Sequence, residues 1–250
     1  MTEKREPNLW DSFTAEFWAE LLAEAISDTL KTPIQNFKFN ILKAKALHAT
    51  AMEVSYIWEK MLEKVTESNA EIVLVLYYVY TEQALVTAVS ASEVYFKDRL
   101  AYAIQNEKRL LKRYLDKEIT VKRILDTDLN LSEDIGILIV ENLNLQIEEV
   151  QKEYKRVFCF EPFTKDELKR LKEILKIRNV IVHKSGIVDH LFVSETELDY
   201  QVGQRLFFER DEILEMIDFI ENIVTKVDSE LNEKLNVEDA CDSPLNSNPK

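Results

Sequence analysis

The segment Arg178–Asn179–Val180–Ile181–Val182–His183 sets a guanidinium five positions ahead of an imidazole. A guanidinium grips oxyanions through paired N–H donors. An imidazole exchanges its proton near neutral pH. Of the three histidines only His183 has an arginine at that spacing, because His48 and His190 have Lys43 and Ser185 there. On a helical wheel, Leu171, Ile174, Leu175, Ile181 and Val182 share an arc of about 140°, with Arg178 near its centre. The lysines at 165, 169, 172 and 176 take the opposite side. An unpaired buried guanidinium costs several kcal/mol, so an internal carboxylate, a bound phosphate or a partner surface must compensate it. Asn179 and His183 are i, i+4 neighbours.

The helix that carries these residues has clear ends. Thr164 with Glu167 forms a capping box, and Gly186 suits a left-handed stop. The rest of the chain reads the same way. Three glycines and five prolines in 250 residues leave few turns, which disfavours sandwiches, dinucleotide-binding folds and phosphate loops. The expectation is an all-α protein, an elongated helical bundle in a single domain over residues 10–235, with loose termini at 1–9 and 236–250. Asp11 or Ser12 caps a first helix ended by Thr32–Pro33. A second helix runs to about Ser68, with Phe39, Leu42, Ala46 and Ala49 on its apolar side. Asn69 opens a third of some thirty-five residues, and Ile72–Tyr80 is apolar all round. Nine residues fall short of the roughly twenty of a membrane span, so this stretch is expected as the most buried part of a soluble bundle, with no membrane contact. Ser132 opens a helix to about Phe158 despite Gly136. Residues 187–195 read as a turn or brief extended piece, and residues 204–231 as the closing helix.

The segment RNVIVHKSGIVD on a late helix resembles the R-x4-6-H signature of the HEPN superfamily, and Asn179 after the arginine fits it. The helix end ASEVYFKDRL at 91–100 and Gln201–Val202–Gly203 before the closing helix add to the likeness, which covers about residues 75–230. It implies a HEPN-like core and a homodimer in which two such helices face one another to form one ribonuclease site without metal. It also implies a setting in defence or a toxin-like system, with RNA as substrate and a cognate antitoxin as a possible further partner. Carried over, Arg178 holds the scissile phosphate, His183 is the general base or acid, and Asn179 orients either; the product is a 2′,3′-cyclic phosphate. Members silenced by nucleotide transfer carry a tyrosine two residues after the histidine; Ser185 stands there. The other reading is an inactive HEPN-like module that binds a protein or nucleotide. In it Arg178 pairs with an internal carboxylate, with Glu93 as candidate, and His183 merely ends the helix.

Charge bears on both readings. The chain carries −14 overall, yet residues 107–123 and 165–184 each carry +4. They nominate Lys108, Arg109, Lys112, Arg113, Lys169, Lys172 and Lys184 as a phosphate-tracking surface. For individual lysines, ordinary pairing with acidic neighbours is the plainer account. Tyr77, Tyr78, Tyr80, Tyr95 and Phe96 are expected in the core rather than as a base-stacking platform. No histidine, cysteine or carboxylate spacing suggests a metal, and no cofactor is expected. Cys159 and Cys241 read as isolated thiols, which points to a cytoplasmic location.

Overall fold

The computed structural model describes residues 32–61, 67–107, 110, 131–141, 146–209 and 211–236. It is all-α, with no strand among the described residues. Its helices are α1 (Pro33–Met61), α2 (Glu67–Asn106), α3 (Leu131–Glu141), α4 (Ile147–Phe158), α5 (Lys165–Lys184), α6 (His190–Glu195) and α7 (Glu212–Asn236). The chain divides into two compact units, 1–91 with 173–221, and 92–172 with 222–250, so the boundaries fall inside α2, α5 and α7. The expected first helix lies outside the described residues.

In the first unit, α1 begins at the Thr32–Pro33 break, as the expected second helix does. Thr32 and Gln35 form a reciprocal cap: the Gln35 amide donates to Thr32 Oγ1 at 3.4 Å, and the Thr32 amide to Gln35 Oε1 at 3.2 Å. Pro33 takes the first helical position, where its missing N–H costs nothing. The buried residues of α1 are Phe37, Ile41, Ala44, His48, Ala49 and Ala51. They include the expected Ala49 but leave the expected Phe39, Leu42 and Ala46 only half-buried. Lys45 joins α1 to α7 through Asp218 at 2.8 Å and Glu221 at 2.6 Å.

The apolar run that opens α2 is not the most buried part of the helix. Ile72, Val75, Leu76 and Val79 are exposed at i, i+3, i+4, i+7, and so is Leu74. Burial begins at Thr81 and continues through Ala84, Leu85, Ala88 and Val89. A helix apolar all round has no sequence signal for which side is covered, and here the alanine-rich half allows the close packing. By length and composition alone, Ile72–Asn106 is apolar enough to cross a membrane, a test that core helices also pass.

The second unit is built on aromatic edges. Phe96 meets Tyr95, Tyr154 and Phe163 with ring centroids 5.3, 5.9 and 5.4 Å apart, all near perpendicular. The buried Tyr154 hydroxyl donates to the Phe96 carbonyl at 3.0 Å. Where one helix to Phe158 was expected there are two, because Gln146 is extended (φ −67°, ψ 162°) and restarts the chain as α4. Gly136 explains its own presence in α3: a Cβ there would lie 2.2 Å from the Ala101 carbonyl oxygen. Cys159, expected as a free thiol, is disulfide-bonded; the other cysteine, Cys241, lies outside the described residues.

The closing helix is also shorter than expected. Residues 204–209 alternate exposed Arg205 and Phe207 with buried Leu206 and Phe208, a period of two. Ile187 bridges Arg205, and the Val188 amide donates to the Gln204 carbonyl at 2.9 Å. The stretch expected as a turn becomes α6, capped by Asp189, whose Oδ1 accepts the Phe192 amide at 2.9 Å.

Candidate functional site

The carrier helix α5 starts as its sequence implies. The Thr164 amide donates to Glu167 Oε2 at 2.7 Å, and the Glu167 amide to Thr164 Oγ1 at 3.3 Å. Its end is a left-handed pair: Ser185 (φ 52°) and Gly186 (φ 78°), with the Gly186 amide donating back to the Val180 carbonyl at 3.1 Å. This bond spans six residues, one more than the 6→1 bond of a Schellman cap, and closes the last turn. Ser185, not Gly186, occupies the first left-handed position, which is uncommon for a residue with a Cβ.

The buried face of α5 is Leu171, Ile174, Ile177, Val180 and Ile181. It is rotated by about 70° from the expected stripe. Val182 is exposed, and Arg178 lies at the border of the buried face, not at its centre. Arg178 is half-buried, with its Nε enclosed. Asn179, His183 and Lys184 are exposed. Asn179 and His183 share one side of the last turn, about 40° apart around the axis. Arg178 and His183 are about 140° apart around the axis and about 7.5 Å along it. One copy of the helix therefore presents the guanidinium and the imidazole in divergent directions.

The basic face of α5 is largely matched by carboxylates. Lys172 meets Glu148 at 2.9 Å, Lys176 pairs with Glu195, and Lys184 reaches Asp189 at 3.5 Å. Asp189 is held below the usual carboxylate range, first by the Phe192 amide and then by Lys184. Such exposed pairs are each worth about 0–1 kcal/mol, so an arriving phosphate could displace them at small cost. Glu93 is exposed on α2. Lys108, Arg109, Lys112 and Arg113 lie outside the described residues. Tyr95 and Phe96 are buried, as expected of core residues, whereas Tyr77, Tyr78 and Tyr80, expected there too, are only half-buried.

Sequence reasoning picked one arginine for burial and missed another. The deeply buried guanidinium is Arg99, 5% exposed, whose Nε donates to Asp228 at 3.1 Å and Nη2 to Asn232 at 2.6 Å. The Tyr95 hydroxyl donates to the same Asp228 oxygen at 2.8 Å. Burial and the adjacent carboxylate push the Tyr95 hydroxyl far above its ordinary value. The signal was available: Tyr95 and Arg99, and Asp228 and Asn232, are both i, i+4 pairs.

In the first unit an open cavity of about 670 Å³ lies against the start of α2, where Leu74, Tyr77 and Phe207 form an apolar wall and Glu209, Asp211, Glu212 and Glu215 bring acid. Nothing in the sequence reading anticipated it, because Phe207 and Phe208 were placed inside a helix. No family model matches this chain, and neither does any curated protein or solved structure.

Proposed function

We propose that the protein is a metal-independent endoribonuclease of HEPN type, with a HEPN-like core and a site composed from two copies of α5. The observation that carries this reading is the exposure of Asn179 and His183 on one side of the last turn, with Arg178 at the border of the buried face. In such a site Arg178 binds the scissile phosphate and stabilises the charge that grows on its oxygens. His183 takes the proton from the ribose 2′-hydroxyl, or gives one to the departing 5′-oxygen. The 2′-oxygen then bonds to phosphorus as the 5′-oxygen leaves, producing a 2′,3′-cyclic phosphate. Asn179, beside His183, orients the imidazole. Two chains are required because a single helix points the two groups apart.

The test is cleavage of a labelled RNA in EDTA by the wild type, Arg178→Ala and His183→Ala. Loss of cleavage in both variants, with a cyclic-phosphate end in the wild-type product, supports the proposal. Equal activity in wild type and His183→Ala removes it. A second reading, a helical module that binds a protein or nucleotide without cleaving, draws support from the −14 charge and from the paired lysines of α5.

A further inference from the structure

The cavity beside the start of α2 does not belong to the Arg178–His183 site. Its apolar wall is exposed to an unusual degree: Leu74 is 55% and Phe207 56% accessible. Surface leucines and phenylalanines scattered singly need no account, but here they line one concavity with the half-buried Tyr77. The other part of the lining is acidic. Glu209, Asp211, Glu212 and Glu215 contribute four carboxylates, and residues 207–215 keep a net −3 with Arg210 counted. Tyr77 registers that field: burial, with Asp211 and Glu212 adding to it, pushes its hydroxyl upward. The nearby Arg205 is engaged elsewhere, donating to Glu82 at 2.9 Å and lying 5.2 Å from the Tyr78 ring centre.

An apolar floor with a one-signed rim selects its occupant by charge complementarity. We infer that this groove docks a cationic amphipathic helix of a partner protein, its apolar ridge against Leu74, Tyr77 and Phe207 and its lysines or arginines facing the carboxylates. The helix-in-groove mode needs this pairing of apolar anchors with a polar rim. A lipid surface fits less well, because the groove is concave and anionic headgroups meet four carboxylates. An RNA strand is repelled by the same rim. This binding is independent of cleavage, so either can fail without the other.

The probe is a fluorescent helical peptide of about four turns, built from leucine and lysine at helical spacing. Its controls carry glutamate in place of lysine, or the same composition out of helical phase. Anisotropy should show saturable binding of the lysine peptide that weakens with added salt, and none of either control. Leu74→Gln with Phe207→Ser, both surface changes, should abolish it. Asp211→Asn with Glu215→Gln should weaken it about tenfold, or 1.4 kcal/mol. Glu212 is left intact because its Oε2 accepts the Glu209 amide at 2.7 Å and holds the start of α7. Unchanged circular dichroism and melting separate lost binding from lost folding. Absence of binding by the wild type overturns the inference, as does equal binding of the glutamate peptide or an unaffected Leu74→Gln/Phe207→Ser protein. So does co-sedimentation with phosphatidylcholine vesicles that the same two substitutions abolish.

Discussion

Asp228→Ala should destabilise the second unit by about 3–5 kcal/mol, because it strands a guanidinium that has almost no water. The Arg99 side chain is 6% exposed and the Asp228 side chain 14%. Asp228 accepts from Arg99 Nε at 3.1 Å, from the Tyr95 hydroxyl at 2.8 Å and from Asn232 Nδ2 at 3.0 Å. Removing it leaves Arg99 with Asn232 Oδ1 and leaves the Tyr95 hydroxyl without this acceptor. Tyr95→Phe, which loses one bond to a carboxylate and keeps the ring packed on Phe96, should cost less, about 1.5–3 kcal/mol. Replacing both charges, Arg99→Met with Asp228→Leu, should recover much of that loss, since the desolvation cost of the pair disappears with its attraction, and leave about 1–3 kcal/mol for the Tyr95 hydroxyl that has lost its acceptor. Urea unfolding followed by tyrosine fluorescence and by circular dichroism reads these shifts. Because the network lies wholly in the second unit, the two probes need not coincide. A loss below about 1 kcal/mol for Asp228→Ala, or a double variant as weak as the single, would refute the view that this pair is held by mutual compensation.

Other outcomes follow from single contacts. The Tyr95 hydroxyl is held far above the 10.0 it has when unfolded, so its contribution is complete below about pH 10 and is lost above it. The slope should be about 1.4 kcal/mol per pH unit, and urea titrations above pH 10 should show it reduced in Tyr95→Phe. Gly136→Ala should lower the melting temperature sharply, costing about 1–3 kcal/mol or more, because the added methyl meets a backbone oxygen. Gly203→Ala should cost only about 1 kcal/mol: its surroundings are open, and the penalty is the positive φ of 86°. Burial opposes ionisation of Glu167, but Lys226, 2.7 Å from both oxygens, and Thr164 hold its carboxyl below the ordinary 4.5. Its contribution is therefore present above the ordinary value and lost as pH falls, so Glu167→Gln should flatten the acid side of the stability curve.

The helical class was readable because three glycines in 250 residues leave few places to turn, and the capping box at Thr164–Glu167 was readable because both partners are local. The break at Thr32–Pro33 is local too, with Gln35 three residues on completing the cap of the helix that follows it. What failed was phase. An apolar helix such as the start of α2 has no preferred side, so its exposure depends on neighbours far away in sequence. On α5 the isoleucines and valines near Arg178 populate most of the wheel, and a rotation of about 70° moved the arginine from centre to border. Leu206 and Phe208 were lost to a helix because two aromatic residues in a row hide a period of two.

The divergence of Arg178 and His183 also decides how a composite site must be assembled. About 140° around a helix and 7.5 Å along it send the two side chains apart, so the proposed composite site would draw the two groups that meet one phosphate from different chains. Mixing two dead variants tests this arrangement directly. In a dimer of Arg178→Ala with His183→Ala, one chain keeps its histidine and the other its arginine. A site that draws the pair from opposite chains is then intact once per mixed dimer; a site that draws both from one chain is intact nowhere. With random exchange half the dimers are mixed and each keeps one of the two Arg–His pairings of its composite site, so the mixture should regain about a quarter of wild-type RNA cleavage. A mixture that stays as inactive as its parts, after exchange is verified by tagged pull-down, would place both groups on one helix against its geometry and would end the composite-site proposal.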